Sequence, residues 1–433
     1  MVKQLSWFDI YQAYSESTSV GNALSLPAIS KEKTRSIILS SLSGVTDALP
    51  LTFIEPIAVS GWEVTDSSNV PSLAVVVSGT SVSKKHLFKA ASLCLARNHA
   101  LKVSGHVAHT KVTILYVNKH YTLEGDQPFY LECDVTDEVD DVINSIEALV
   151  LNYNVDTQGD TEPTEYQVAT SHLPNANSKK LKLAYFDGEF TTKEDISHEL
   201  LSDIQLRVHL AHINNTSFVD EALLRDELCA QISDLEDVHF LDFEATQFLY
   251  PTISGVKPFE QVAFQYSSHY WNGKTLSHKE FISFDKSCEY DLCVAITKDL
   301  AGKGKVLTYN ASFERMVLVK LSKKFPPFAV QLLDIADRLV DLMPIFKQGY
   351  YHVSQNGSWS LKAVLPTVVG SDLYAELDGI ANGQQASNAY QLVANNLVAQ
   401  EDITQSCLAY CHLDTLALVY MYQFIIQTQI IKE

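Results

Sequence analysis

The apolar positions of this chain fall into two patterned blocks separated by a polar one. In the first, LAVVVSG at 73–79 and TKVTILYVNKHYTL at 110–123 are runs rich in β-branched residues and read as strands. The intervening KKHLFKAASLCLARNHAL is built of helix formers, so a small α/β domain over residues 1–150 is expected. From Asn152 to about Lys182 the residues are polar and turn-forming without an apolar period, which predicts a linker. A helical connector completes the segment 151–235. Its clearest piece is SFVDEALLRDELCAQIS, where apolar residues recur at three- and four-residue steps and Ser217 or Asp220 is placed to cap the start.

The second block, 236–433, opens with the apolar strand HFLDFEA, followed by QVAFQYSSHYW and KEFISF as two further strands. A helix through YDLCVAITKDL, a strand KVLTYN, a helix ASFERMVLVKLSKKF and another helix ending near Arg338 come next. EDITQSCLAYCHLDTLALVYMYQFIIQ contains no Gly or Pro and predicts one long final helix.

Composition narrows the class. With 46% hydrophobic and 19% charged residues the chain is globular in character, and no apolar run reaches the roughly 18 residues of a bilayer span. The first twenty residues place polar and acidic groups where a signal peptide has its apolar stretch, so a cytoplasmic protein is expected. The seven cysteines form no CxxC pair; Cys407 and Cys411 share a helical face, as core thiols or as a metal pair. A formal net charge of −20 counts against a general nucleic-acid coating protein, because phosphate binding draws mostly on Lys and Arg. Any nucleic-acid contact is then local and metal-assisted.

Three segments carry carboxylates in arrangements that favour such contact. Side chains two apart on a strand share a face, so Asp242 and Glu244 of LDFEA converge within an otherwise apolar strand. On the final helix Tyr410 and Asp414 lie one turn apart. Glu314 and Phe313 fall in the first turn of the helix that follows the strand ending at Asn310. Four acids from three segments suit two divalent cations, Mg²⁺ or Mn²⁺, that also bind a substrate phosphate.

In this order, the acid-x-Glu strand, the Asn-containing second motif and the Tyr-x-x-x-Asp third motif resemble the DEDD (DnaQ-like) exonuclease superfamily. The phrases FLDFEA, PFEQVAFQYS, YNASFE, SWSLKAVLP and YCHLDTLALV further resemble a bacterial family of unknown function, the domain-of-unknown-function 2779 family, in which such a domain follows a RecB-like nuclease domain. The resemblance implies a ribonuclease-H-like mixed sheet flanked by helices over 236–433, with Asp242, Glu244, Glu314 and Asp414 as metal ligands and Tyr410 orienting or deprotonating the attacking water. It implies the tyrosine subtype, since the position that carries histidine in the other subtype is Ala409. Two departures stand out: glutamate replaces the usual aspartate at 314, and Ala245 stands where Thr is frequent.

Around that site Asn310 either contacts substrate or caps a helix, Phe243 and Phe313 either stack on terminal bases or pack in the core, Ala245 is expected among the substrate contacts, and Lys362 either touches a substrate phosphate or is simply solvated. Lys303, Lys305, Lys320, Lys323 and Lys324 either touch phosphates or are simply solvated, and Asp341 is read as a helix cap. The first domain resembles a PD-(D/E)XK nuclease that has lost its catalysts: Val75 and Val77 stand at the Glu and Lys positions, and Leu93-Cys94 replaces a glutamine-tyrosine pair. Aliphatic groups neither ligate Mg²⁺ nor transfer protons, which leaves this domain for scaffolding, nucleic-acid positioning or contact with a protein partner.

The expected activity is 3′→5′ hydrolysis of single-stranded DNA or RNA to nucleoside 5′-monophosphates. The alternative is a catalytically silent nucleic-acid-binding or assembly subunit of a larger nuclease or defence complex.

Overall fold

The computed structural model describes residues 31–42, 45–53, 59–67, 71–103, 111–152, 165–377 and 379–431. The segment read for a signal peptide and most of the polar half of the expected linker, 153–164, lie outside the described residues. The chain divides into two compact units, one of residues 1–161 with 247–260 and one of 162–246 with 261–433.

In the first unit α1 (Lys31–Ser41), β1 (Val45–Phe53), β2 (Val59–Asp66), β3 (Pro71–Val76), α2 (Lys84–Val103), β4 (Val112–Val117), β5 (Tyr130–Asp134) and α3 (Thr136–Asn152) follow in order. The strands form one sheet, β1-β2-β3-β4-β5, in which only β3 and β4 pair in parallel. That parallel pair needs the α2 crossover, the βαβ logic. β3 is buried on both faces: Leu73 and Val75 pack with Phe88 and Leu93 of α2 and Val139 of α3, while Ala74 faces Ile37 and Ile38 of α1. Gly61 on β2 lets α2 approach closely, since a Cβ there would collide with the Leu93 side chain.

The second unit holds α4 (Glu165–Thr170), α5 (Lys179–Phe186), α6 (Asp203–Asn214), β6 (Phe218–Val219), α7 (Glu221–Cys229), β7 (Val238–Gln247), β8 (Gln261–Trp271), β9 (Leu276–Ile282), α8 (Cys288–Asp299), β10 (Lys305–Thr308), α9 (Ser312–Lys324), α10 (Ala329–Asp337), β11 (Leu339–Asp341), α11 (Leu342–Gly349), β12 (Tyr350–Tyr351), α12 (Leu361–Val369), α13 (Gly383–Ala394) and α14 (Glu401–Ile426). Its main sheet runs β11-β10-β7-β8-β9, with β7, β10 and β11 parallel and β8–β9 antiparallel; β6 and β12 form a separate short pair. Both units are therefore α/β with mixed sheets.

Strand alternation on β7 sorts two cores. Val238 and Phe240 face α14, packing with Leu418 and Tyr422, whereas Leu241 and Phe243 face Leu292 and Ile296 of α8 and Val317 of α9. The helices of the expected connector join the first of these cores: Val208 of α6 and Leu224 and Leu228 of α7 are buried against it. Asp220 caps α7, its side chain accepting from the Leu223 amide.

Candidate active site

Because Asp242 and Glu244 share the parity of Val238 and Phe240, they face α14 where the apolar stripe of β7 gives out. Opposite them α14 presents Cys407, Tyr410, Cys411 and Asp414, spaced as one buried helical face. The amide of Gln265 on β8 donates to the Cys407 carbonyl at 2.8 Å and fixes the helix against the sheet. Among the described residues, Asp242, Glu244 and Asp414 each offer an oxygen such that all three lie within 4.8 Å of one another.

Crowding and burial act together on these acids. Burial foremost, then the neighbouring carboxylates, holds Asp242 and Glu244 well above the ordinary range, with Lys362 pulling Glu244 back down. Asp414 is raised by burial to about 6, although hydrogen bonds from Tyr374 and Tyr410 and the Lys362 charge favour its ionised form. Glu314, in the first turn of α9, lies outside the close trio but near enough to raise Asp242 further. The residue is 3% exposed, its carboxyl is pushed by burial to about 8, and its Oε2 has no hydrogen-bond partner.

Two tyrosines and a lysine close one side. Tyr374 donates to Asp414 Oδ1 at 2.5 Å and Tyr410 also bonds the Asp414 side chain. Lys362 on α12 sets its Nζ 4.8 Å from the Tyr410 ring centre and 5.1 Å from that of Tyr374, donating to the Ala381 carbonyl. Both phenols are raised, by burial first and by Asp414 next, so each keeps its proton. The N-terminus of α13 abuts Glu244: a Cβ on Gly383 would sit 3.2 Å from Glu244 Oε2. Thr246 ties α13 down, its hydroxyl bonded by Ser387 Oγ at 3.0 Å and Gln391 Nε2 at 3.2 Å.

The remaining sequence candidates separate. Phe243 is buried on the far face of β7 and is a core residue, not a base platform beside the acids. Ala245, half-buried, has the same parity, and Phe313 packs against the same cluster, half-buried. Asn310 is exposed in the left-handed region at φ 67° and accepts from Ser312 Oγ; α9 has no side-chain cap. Asp341 does the local fastening, taking the amides of Asn310, Ala311 and Met343. Lys320 and Lys324 both bind the buried Glu289, at 2.8 and 2.6 Å, so their charges are spent on packing. Lys303 and Lys323 are exposed and Lys305 is half-buried. Cys407 and Cys411 are buried thiols, with Cys411 Sγ 3.5 Å from Asp242 Oδ2.

In the first unit Val75, Val77, Leu93 and Cys94 lie in one apolar cluster. Lys84 and Asp66 are exposed and His86 is half-buried, its Nδ1 accepting from the Ser83 amide. Among the described residues no helix is long and apolar enough to cross a membrane.

Sequence reasoning missed Tyr374 and Gly383. Tyr374 sits in a short 3₁₀ turn, Leu373–Glu376, forty positions before its partner, and no spacing rule links it to α14.

A family described as "Domain of unknown function (DUF2779)" matches residues 239–360, a span that takes in Asp242, Glu244 and Glu314 and ends before Tyr374, Tyr410 and Asp414. No curated protein and no solved structure matches the chain.

Proposed function

We propose that the second unit is a metal-dependent 3′→5′ exonuclease acting in the cytoplasm on single-stranded DNA or RNA ends, releasing nucleoside 5′-monophosphates. The observation that carries this reading is the convergence of Asp242, Glu244 and Asp414 within 4.8 Å, with the partnerless Glu314 oxygen beside them. Buried carboxylates so close cannot all ionise unless cations neutralise them, and an all-oxygen donor set suits Mg²⁺ or Mn²⁺. Asp242, Glu244, Glu314 and Asp414 would hold two such ions.

When bound, the ions supply electrostatic stabilisation of the attacking and leaving oxygens of a phosphodiester displacement. The protein does the rest. Tyr374 and Tyr410 fix the Asp414 carboxylate by donating to it. A phenol that keeps its proton orients water rather than deprotonating it, and that is the role assigned to Tyr410. Lys362, within reach of the same rings, offers the local positive charge that a chain of net charge −20 needs at its substrate phosphate. Asn310 and Phe313, at the start of α9, are the remaining substrate contacts. The first unit, with hydrocarbon where a PD-(D/E)XK nuclease has its catalysts, is assigned to positioning nucleic acid or a protein partner.

The test is mass-spectrometric detection of nucleoside 5′-monophosphates released from single-stranded oligonucleotides with Mn²⁺, for the wild type and Asp242→Ala. Release by the wild type alone supports the proposal. No release, with oligonucleotide binding intact, returns the protein to the non-catalytic assembly role.

A further inference from the structure

A second cluster lies on another part of the same sheet. His269 of β8 and His278 of β9 are directly opposed across the antiparallel pair, and His412 of α14 covers them, with ring centres 4.3 to 4.8 Å apart. One nitrogen from each lies within 4.8 Å of the other two. His278 Nε2 and His412 Nδ1 face each other at 3.3 Å. That is the edge of a tetrahedron of nitrogens around zinc, about 3.3 Å for Zn–N bonds of 2.0–2.1 Å.

Neighbouring hydroxyls orient the rings. Thr415 Oγ1 lies 3.0 Å from the His412 carbonyl and can direct its single proton there. It then accepts from His269 Nδ1, 2.9 Å away, which leaves the His269 Nε2 lone pair free to ligate. Ser267 Oγ lies 2.7 Å from Thr415 Oγ1 and 2.9 Å from His278 Nε2, and ligation through that nitrogen replaces the second of these bonds. Two residues along β9 from His278, and therefore on its face, the exposed Glu280 brings Oε2 to 3.9 Å from His278 Nε2.

We infer that His269, His278 and His412 form a transition-metal site, zinc by preference, whose fourth position is filled by Glu280 or water. Its donor set of neutral imidazoles differs in kind from the four carboxylates and selects a softer ion. The site pins β8 and β9 to α14 two residues before Asp414, so it acts as a structural clamp on the helix that carries Tyr410 and Asp414. It stands whether or not the carboxylates support hydrolysis.

The experiment uses the full chain stripped with EDTA and titrated with Co²⁺ alone, then with competing Zn²⁺. The expected result is an intense visible absorption of tetrahedral Co²⁺ corresponding to one ion per chain and displaced by Zn²⁺, any Co²⁺ on the carboxylates adding only the weak bands of oxygen-rich, higher coordination. The band should disappear in His278→Gln and His412→Gln, weaken in affinity about 10–100-fold in Thr415→Val, and persist in Asp242→Asn. As a readout that needs no variant, Zn²⁺ should protect the half-buried His278 and His412 of the wild type from diethylpyrocarbonate. Absence of a tetrahedral band together with no protection would leave only an imidazole hydrogen-bond network and overturn the inference. So would a band that survives His278→Gln and His412→Gln.

Discussion

Tyr374 donates a 2.5 Å hydrogen bond to Oδ1 of Asp414, joining a short 3₁₀ turn to the long C-terminal helix. The bond favours the charged form of Asp414, which burial nonetheless holds at about 6. Removing it in Tyr374→Phe raises the Asp414 value further and moves the acid limb of the pH–rate profile to higher pH, with a loss in kcat of about tenfold at neutral pH. Tyr410→Phe, which also removes the group that orients water, should cost about 10²-fold in kcat. Paired pH–rate profiles check both; identical profiles for the two variants would contradict the division of roles.

The cluster of raised carboxyls costs the metal-free protein stability at high pH. A carboxyl with a higher value in the folded state favours folding below its unfolded value, and that contribution is lost as pH rises through the folded one. For Glu314 the window runs from about 4.5 to about 8. Glu314→Gln should therefore match the wild type in Tm near pH 4.5 in EDTA and exceed it by several degrees at pH 8.5, a gap of about 1 kcal/mol or more. Melting curves across that range decide it, with Mn²⁺ expected to close the gap by stabilising the wild type.

Gly383 stands where α13 meets the site. A methyl there would crowd Glu244 Oε2 at 3.2 Å, while alanine suits a helix better than glycine. Gly383→Ala should weaken Mn²⁺ binding severalfold by calorimetry without lowering Tm; unchanged affinity would show that Glu244 is free to move aside.

Lysine roles divide in the same way. Lys320→Met and Lys324→Met each leave Glu289 buried with one partner fewer and should lower Tm while KM for an oligonucleotide stays within about twofold. Lys362→Met removes the charge that stabilises ionised Glu244 and Asp414 and should raise KM and shift the acid limb upward.

The patterned parts of the fold are legible in the order of residues alone. β7 and α14 can be read because a strand period and a long Gly- and Pro-free run are local signals, and the Asp242–Glu244 and Tyr410–Asp414 pairs follow from period 2 and period 3.6. Which face of a strand looks inward is not a local signal, and there the sequence leaves alternatives: Phe243 turns to the α8–α9 core because Asp242 and Glu244 take the other face. Tyr374 and the trio at 269, 278 and 412 join segments far apart in the chain, so only tertiary structure brings them together. The connector helices show apolar periodicity, but which core they cover is not written in their spacing.

Metal-dependent hydrolysis from the 3′ end is probed without intermediaries by following 5′-labelled single-stranded DNA and RNA oligonucleotides, with free or blocked 3′ ends, in Mg²⁺, Mn²⁺ or EDTA. The expected outcome is a metal-dependent ladder that shortens from the free 3′ end, is lost in EDTA and on blocked ends, and is abolished in Asp242→Ala and Asp414→Ala. Cleavage that persists in both variants, or no cleavage of either polymer by folded, metal-loaded protein, would contradict the assignment of the carboxylates as an exonuclease site.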